Sequence, residues 1–234
     1  MTSLYGGRVE ARSLDAWRHS HLAELPDEVR TAMLTDAFVM TAPAGTPIGE
    51  RGNGAVLVLI HSGLTRIVLE APDGRMATIR YAGRGQVLGL PSVIAGSSPW
   101  NGYAITECEM TVLDPCTLRR FGQSDVRVAW ALARQIARIC YEVVDTLGGN
   151  VFGTIDQRVS RHLLDMSVRT PDGLVVLADQ RELAQSVGSV REVVARSIRV
   201  LREQGALSRL AGGGLLIERP EVLSDIADGI DSGS

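Results

Sequence analysis

"SVGSVREVVARSIRVLREQG", residues 186–205, decides how the chain is read. A short helix end, a glycine and a longer helix follow one another. In the longer helix Val194, Ile198 and Leu201 recur on one side at the helical period, and Arg191, Glu192, Arg196 and Arg199 fall on another. Ser189 stands at an N-cap position with Glu192 three residues on, so Glu192 can cap its own helix. Glu192 also sits four residues before Arg196, the spacing of a weak helical ion pair. Taken alone, these features describe a solvated helix surface.

The surrounding segments add context. "IDQRVSRHLLDMSVR" (155–169) is amphipathic, and "DQRELAQSVG" (179–188) opens with Asp179 and Glu182 in a capping-box pattern. "GALSRLAGGGLLIERP" (205–220) reads as two short strands around a glycine-rich tip. Helix, helix, turn, helix and hairpin is the order of a winged helix-turn-helix. In that motif the second helix enters the major groove. Arginine there can bind guanine O6 and N7 through two hydrogen bonds, and glutamate can accept from cytosine N4. Arg191, Glu192 and Arg196 occupy the first two turns, where those groups are needed.

Upstream, residues 36–115 carry a strand pattern. "AVLVLIHSGLTRIVLEAPDGRMATIRYA" (55–82) contains strands broken at "HSG" and "PDG", "TAPAGTPIGERGNG" (41–54) is a loop, and strands continue through "YAITECEMTVLD" (103–114). Many short strands with frequent glycine turns indicate a barrel or sandwich. Residues 123–149 change to a helical period. Ala129, Leu132, Ile136, Ile139 and Val143 alternate by three and four, with Leu147 continuing the stripe, as in the seam of a coiled coil that pairs with a second copy, and the glycines at 148–149 are expected to stop the helix.

"LADQRELAQSVGSVREVVARSIRVLREQGAL" (177–207) closely resembles the recognition segment of the cyclic-AMP receptor/fumarate-nitrate regulator (CRP/FNR) superfamily of bacterial transcription factors. That family often opens its reading helix with R-E-x-x-x-R, matched here by Arg191, Glu192 and Arg196. The resemblance implies an α+β chain. Its parts would be a cyclic-nucleotide-binding-like β-roll (jelly roll) over residues 1–122, a long dimerisation helix over 123–149 and a winged helix-turn-helix over 150–234. It further implies a cytoplasmic homodimer on double-stranded DNA, with a TGTGA-like palindrome and RNA polymerase as a partner. Gln180, Ser189, Arg199 and Arg209 become candidate phosphate or flanking contacts, with the "GGG" at 212–214 in the wing.

Cyclic-nucleotide-binding members carry a G-E-[LIA] motif whose glutamate meets the ribose, and an R-S or R-T pair that meets the cyclic phosphate. In "GRGQVLGLPSVIAGSSPWNGYAITECEM" (83–110) these fall on Gly89, Leu90 and Pro91 and near Ser98 and Pro99, and no Arg or Lys lies between 85 and 118. Ordinary cyclic-AMP binding is therefore not expected, unless Arg134 or Arg138 supplies the cation. Ser92, Ser97, Ser98, Asn101 and Tyr103 are the polar groups for another ligand. The cofactor stays unknown. Cys108, Cys116 and Cys140 form no iron–sulfur cluster pattern. Cys108 and Cys140 sit in apolar contexts expected in the core, and Cys116 in a loop. Haem is open through His61, which is more commonly a hydrogen-bonding or exposed residue. His162 reads as structural, and His19 and His21 give only a weak metal spacing.

All 24 basic residues are arginine and the formal net charge is −3, so no overall basic character advertises a partner. The three cysteines, without a C-x-x-C pair or signal peptide, fit a reduced compartment. No apolar run approaches the roughly 18 residues of a membrane span. There is no P-loop, G-x-S-x-G or metal triad, so an enzyme is not expected. The competing reading is a small-molecule sensor, for haem or another ligand, whose C-terminal domain mainly makes protein contacts.

Overall fold

The computed structural model describes residues 3–49, 52, 54–72, 74, 76–176, 180–210 and 213–229, with backbone alone for 3–10, 180 and 181. Packing divides the chain into two compact units, Met1–Ile67 with Ala82–Glu142, and Val68–Tyr81 with Val143–Ser234.

Helix α1 (Ser3–Arg18), a 3-10 turn (His21–Glu24) and α2 (Asp27–Thr35) precede the strands. These are β1 (Phe38–Ala42), β2 (Pro47–Gly49), β3 (Leu57–Ser62), β4 (Thr65–Glu70), β5 (Met76–Ala82), β6 (Val87–Leu88), β7 (Asn101–Ala104) and β8 (Cys108–Leu113), with α3 (Leu90–Ala95) after β6. They pair as two four-stranded sheets, β1-β8-β3-β6 and β2-β7-β4-β5, in keeping with the barrel or sandwich expected from the strand pattern and the β-roll implied by the resemblance. Part of the loop expected at 41–54 is strand, since β1 ends at Ala42 and β2 begins at Pro47.

Strand β3 explains its own apolar run. Leu57, Val58, Leu59 and Ile60 are all buried, so both faces of the strand are covered. Leu57 and Leu59 join a core with Trp17 and Val29 from the N-terminal helices, and with Leu118, Val128 and Leu132 from the helices that follow β8. Val58 and Ile60 point to the opposite face, where β8 sets Ile60 against Met110. Each such fully buried side chain stabilises the fold by about 1.5–3 kcal/mol.

Helices α4 (Pro115–Ser124) and α5 (Val126–Phe152) follow. Asp114 caps α4 by accepting from Cys116 N and Thr117 N, so Cys116 lies in a first helical turn and not in a loop. The glycine pair does not stop α5, which continues to Phe152. A Cβ at Gly149 would come within 3.2 Å of Arg161 Nε, so the glycine admits that side chain against the helix. Termination falls at Gly153. Thr154 then caps the next helix, accepting from Gln157 N while Gln157 Oε1 accepts from Thr154 N.

The seam assigned to Ala129, Leu132, Ile136, Ile139, Val143 and Leu147 also needs correction. Leu132 is buried in the chain's own core and Ile139 packs against that core. The positions facing outward are Val126, Trp130, Ala133, Ala137, Cys140, Val144, Leu147 and Val151, every one exposed. They too alternate by four and three. Cys140, expected in the core, is on this outer stripe. Because apolar residues of α5 stand next to one another, as at Ala129 and Trp130, Leu132 and Ala133 or Val143 and Val144, two seams offset by one residue coexist, and only packing tells them apart.

The second unit contains α6 (Ile155–Asp165), the hairpin β9 (Val168–Thr170) and β10 (Gly173–Val176), α7 (Gln180–Val187), α8 (Arg191–Glu203), the hairpin β11 (Leu207–Arg209) and β12 (Leu215–Ile217), and α9 (Pro220–Asp228). The strands form one sheet, β11-β12-β10-β9. Helix α6 packs against α7, α8 and α9. His162 is buried on α6, as its structural reading anticipated. With the proton on Nε2, the ring donates to Asn150 Oδ1 at 3.4 Å and accepts at Nδ1 from the Tyr81 hydroxyl at 2.9 Å.

Burial, and then the charges of Arg158 and Arg161, push the His162 pKa down to about 4. The unfolded chain holds its proton up to about pH 6.5 and so binds more protons than the fold between those values. The stability His162 contributes is therefore complete above about pH 6.5 and is lost as pH falls toward 4, by about 3 kcal/mol. Urea denaturation across this range is expected to show a shallower pH slope for His162→Gln than for the wild type. Equal slopes would remove His162 as the cause.

Candidate DNA interface and effector pocket

The turn between α7 and α8 is Gly188, Ser189 and Val190. Ser189 N donates to Ala184 O at 3.0 Å, closing the end of α7. Its backbone is committed there, so α8 begins one residue later than the sequence suggested. Val190 is the N-cap, in extended backbone, and no side chain caps the helix. The capping box between Ser189 and Glu192 is not formed. Asp179, the other proposed cap, lies outside the described residues.

Val194, Ile198 and Leu201 are buried and hold α8 to its unit, as their spacing implied. Arg191, Glu192, Arg196 and Arg199 are exposed. At about 100° per residue, Glu192, Arg196 and Arg199 project opposite the buried stripe, while Arg191 lies on one flank. Among the described residues, Glu192 and Arg196 make no ion pair with each other. Arg199 instead meets Glu203 at 3.8 Å across solvent, a contact of little energetic weight. Ser189 is half-buried in the turn and Gln180 opens α7, its side chain outside the described residues. Arg209 is exposed at the end of β11, where Leu210 N bonds Gly214 O across the hairpin; Gly212 at the tip lies outside the described residues.

On the effector side, Gly89 is the N-cap of α3, with Leu90 buried in the core and Ser92 buried beside it. The position of the family's ribose carboxylate is thus an apolar anchor. Ser98 donates its hydroxyl to Trp100 O at 3.1 Å, bracing its own turn, and Ser97 is exposed. Pro91 follows Leu90 in α3, and Asn101 and Tyr103 are partly buried on β7. Arg134 pairs with Glu24, and Arg138 lies 3.3 Å from His21 Nδ1, so both are drawn to the 3-10 turn. The residues present therefore do not reproduce the cyclic-nucleotide contacts. Among the described residues the buried arginines are Arg66 on β4, its guanidinium 6.0 Å from the centre of the Tyr103 ring, and Arg80 on β5. Each stands inside a strand-forming segment, "TRIVLE" and "MATIRYA", which was the available sequence signal.

His61 is closed to a haem iron. Its Nε2 meets Thr111 Oγ1 at 2.6 Å, Thr111 meets Ser13 Oγ at 2.7 Å, and Nδ1 is buried. Burial also holds its pKa below the ordinary value. Cys108 is buried, as expected, and burial pushes its thiol pKa up, away from thiolate chemistry. Among the described residues no His/Cys/Asp/Glu group is arranged to hold a metal, and no helix is long and apolar enough to cross a membrane.

A β-roll, a long helix and a winged helix-turn-helix with an exposed arginine face make up a DNA-binding transcription regulator. Residues 157–226 match the family model of the Crp-like helix-turn-helix domain. The chain is 31% identical over 166 residues to the transcriptional regulator LdrP of Thermus thermophilus, covering 68% of this chain and 81% of that protein. It is 30% identical over 190 residues to the CRP-like cAMP-activated global transcriptional regulator of Mycobacterium tuberculosis, covering 78% and 84%. A solved CRP-family transcriptional regulator, also from Thermus thermophilus, aligns with TM-score 0.66 at 25% identity, covering 81% of this chain and 96% of that one. FixK2 from Bradyrhizobium japonicum shares the fold, with TM-score 0.70 at 20% identity over 85% of this chain and 98% of its own. The chain belongs to the CRP/FNR superfamily of transcription regulators, a family of DNA-binding proteins and not of enzymes.

Gly89 offers a test of the pocket's frame. Its φ is +94°, and a Cβ there would lie 1.6 Å from Val56 O. Gly89→Ala is expected to cost about 3 kcal/mol or more in chemical denaturation, combining backbone strain with a clash. Gly96→Ala, at a similar φ of +86° but in open space, is expected to cost only about 1 kcal/mol.

Proposed function

We propose that this regulator is a homodimer that reads a palindrome of TGTGA-like half-sites and is not controlled by ordinary cyclic-AMP binding. The observation that carries the proposal is the exposed pair Glu192 and Arg196 opposite the buried side of their helix, with exposed Arg191 on its flank. In this reading the two arginines bind guanine, Glu192 accepts from cytosine, and Ser189, Gln180, Arg199 and Arg209 approach phosphates or flanking positions. Residues 1–122 serve as sensor, 123–149 as dimerisation helix and 150–234 as DNA-binding domain, with RNA polymerase the partner on the promoter.

The outer stripe of α5 supports the dimer. Trp130, Ala137, Val144 and Val151 take the a positions, and Val126, Ala133, Cys140 and Leu147 the d positions, all exposed. Valine at a with leucine at d favours a parallel two-stranded pairing. Two reading helices then address half-sites roughly 34 Å apart. Relatives named as cAMP-activated share the fold, but Leu90 and Ser98 stand here where the family's ribose and phosphate contacts would be.

A fluorescence titration tests the reading. The wild type is expected to prefer a TGTGA palindrome over a scrambled duplex, with or without cyclic AMP. Arg191→Ala and Arg196→Ala should each lose about 1–3 kcal/mol of that preference. Unchanged preference in both variants would overturn the assignment, and affinity insensitive to salt would favour the protein-contact alternative.

The seam has a separate test. In a parallel in-register pair, a d-position cysteine faces its own copy at a separation a disulfide can bridge. Copper-phenanthroline oxidation is expected to give a covalent dimer in the wild type and in Cys116→Ser, and none in Cys140→Ser. A crosslink that follows Cys116 would refute this seam.

A further inference from the structure

We propose that Val193 is a base-reading residue that packs on the 5-methyl group of a thymine, adding an apolar term to the half-site beside the charged contacts; this rests on the DNA reading above. Val193 is 39% exposed, and Val190, at the N-cap, is 60% exposed. Isolated surface valines are ordinary. Val193 differs in its position. It follows Glu192 directly and lies one turn before Arg196, on the outward half of α8 and within the two turns that would enter the groove.

Stability gives no reason for a valine there. An exposed β-branched residue inside a helix loses side-chain freedom and has a poorer helix propensity than alanine or a long polar residue. The surrounding chemistry does give one. Arg191, Arg196 and Arg199 make the face complementary to a polyanion, and in the major groove of such a partner the thymine methyl is the apolar group offered at the base edges. Valine is short and reaches only what Glu192 and Arg196 already bring close. It therefore selects a thymine stacked next to a base pair that those residues read.

Replacing thymine by deoxyuridine removes that methyl and leaves every hydrogen-bonding group in place. Each thymine of the palindrome is to be replaced in turn, in both half-sites, and binding measured for the wild type, Val193→Ala and Val200→Ala. One position is expected to weaken wild-type binding about fifteen-fold, the worth of two buried methyls, one in each half-site. The loss should vanish in Val193→Ala and persist in Val200→Ala, whose valine lies two turns further along the same flank. Circular dichroism of Val193→Ala confirms the fold. If the wild type prefers the palindrome but no deoxyuridine matters, or if the loss persists in Val193→Ala, the valine proposal is overturned while the DNA reading stands. If the wild type has no preference for the palindrome, both fall.

Discussion

A helix has more faces than its own domain can cover, and α5 is organised by that fact. One stripe, with Val128 and Leu132, is consumed by the core that also receives Trp17 and Leu57. The stripe from Val126 to Val151 is left in solvent, although it is equally apolar. Removing that area from water needs a second surface with the same period, and in the proposed homodimer a second copy of the helix supplies it. Internal packing therefore fixes which stripe is free, and in that proposal the free stripe sets the symmetry with which the reading helices meet DNA.

Much of the architecture was legible because it rests on short-range rules. The strand breaks at "HSG" and "PDG", the buried trio on α8 and the winged order of the last domain follow from turn chemistry and period. The register of the dimer seam did not follow. An Ala- and Val-rich helix satisfies a heptad in more than one phase, and burial of Leu132 is a tertiary fact. The start of α8 differs by one residue for a similar reason. Ser189 is a good cap by composition, but its backbone N–H closes α7. The helix at Pro220–Asp228 carried its signals, proline at the first position and Gly229 at the left-handed cap, yet it lies beyond the winged pattern that organised the reading.

The effector end shows that fold and ligand chemistry are separable. The frame is intact. Gly89 makes the close approach to Val56 O that lets α3 start, and Leu90 and Val93 seat that helix in the core. The stretch from 85 to 118 holds no arginine or lysine, and the buried arginines among the described residues lie elsewhere, on β4 and β5. Arg66 is stacked on Tyr103 and Arg80 is buried on its own strand, places where a charge is held by protein geometry and not by a cassette motif. Packing alone does not require the glutamate or arginine that is missing, so the frame persists without the family motif, as the proposed independence from cyclic AMP requires.

At the output end the structure removes the ordinary explanations for the charged face. Glu192 could have been a capping residue, but Val190 starts the helix and no side chain caps it. Arg196 could have been Glu192's ion-pair partner, but among the described residues that pair is not made. Glu192 retains a favourable position in the first turn, where a carboxylate faces the positive end of the helix dipole. That accounts for an acid in the turn but not for Arg191 beside it, which the same dipole disfavours. Arg191 and Val193 thus occupy α8 at a local cost, and Arg196 and Arg199 stand exposed with them, on a helix held by Val194, Ile198 and Leu201. In the proposed DNA reading the partner is anionic along its backbone and carries acceptors and methyl groups in its groove, which suits each of them.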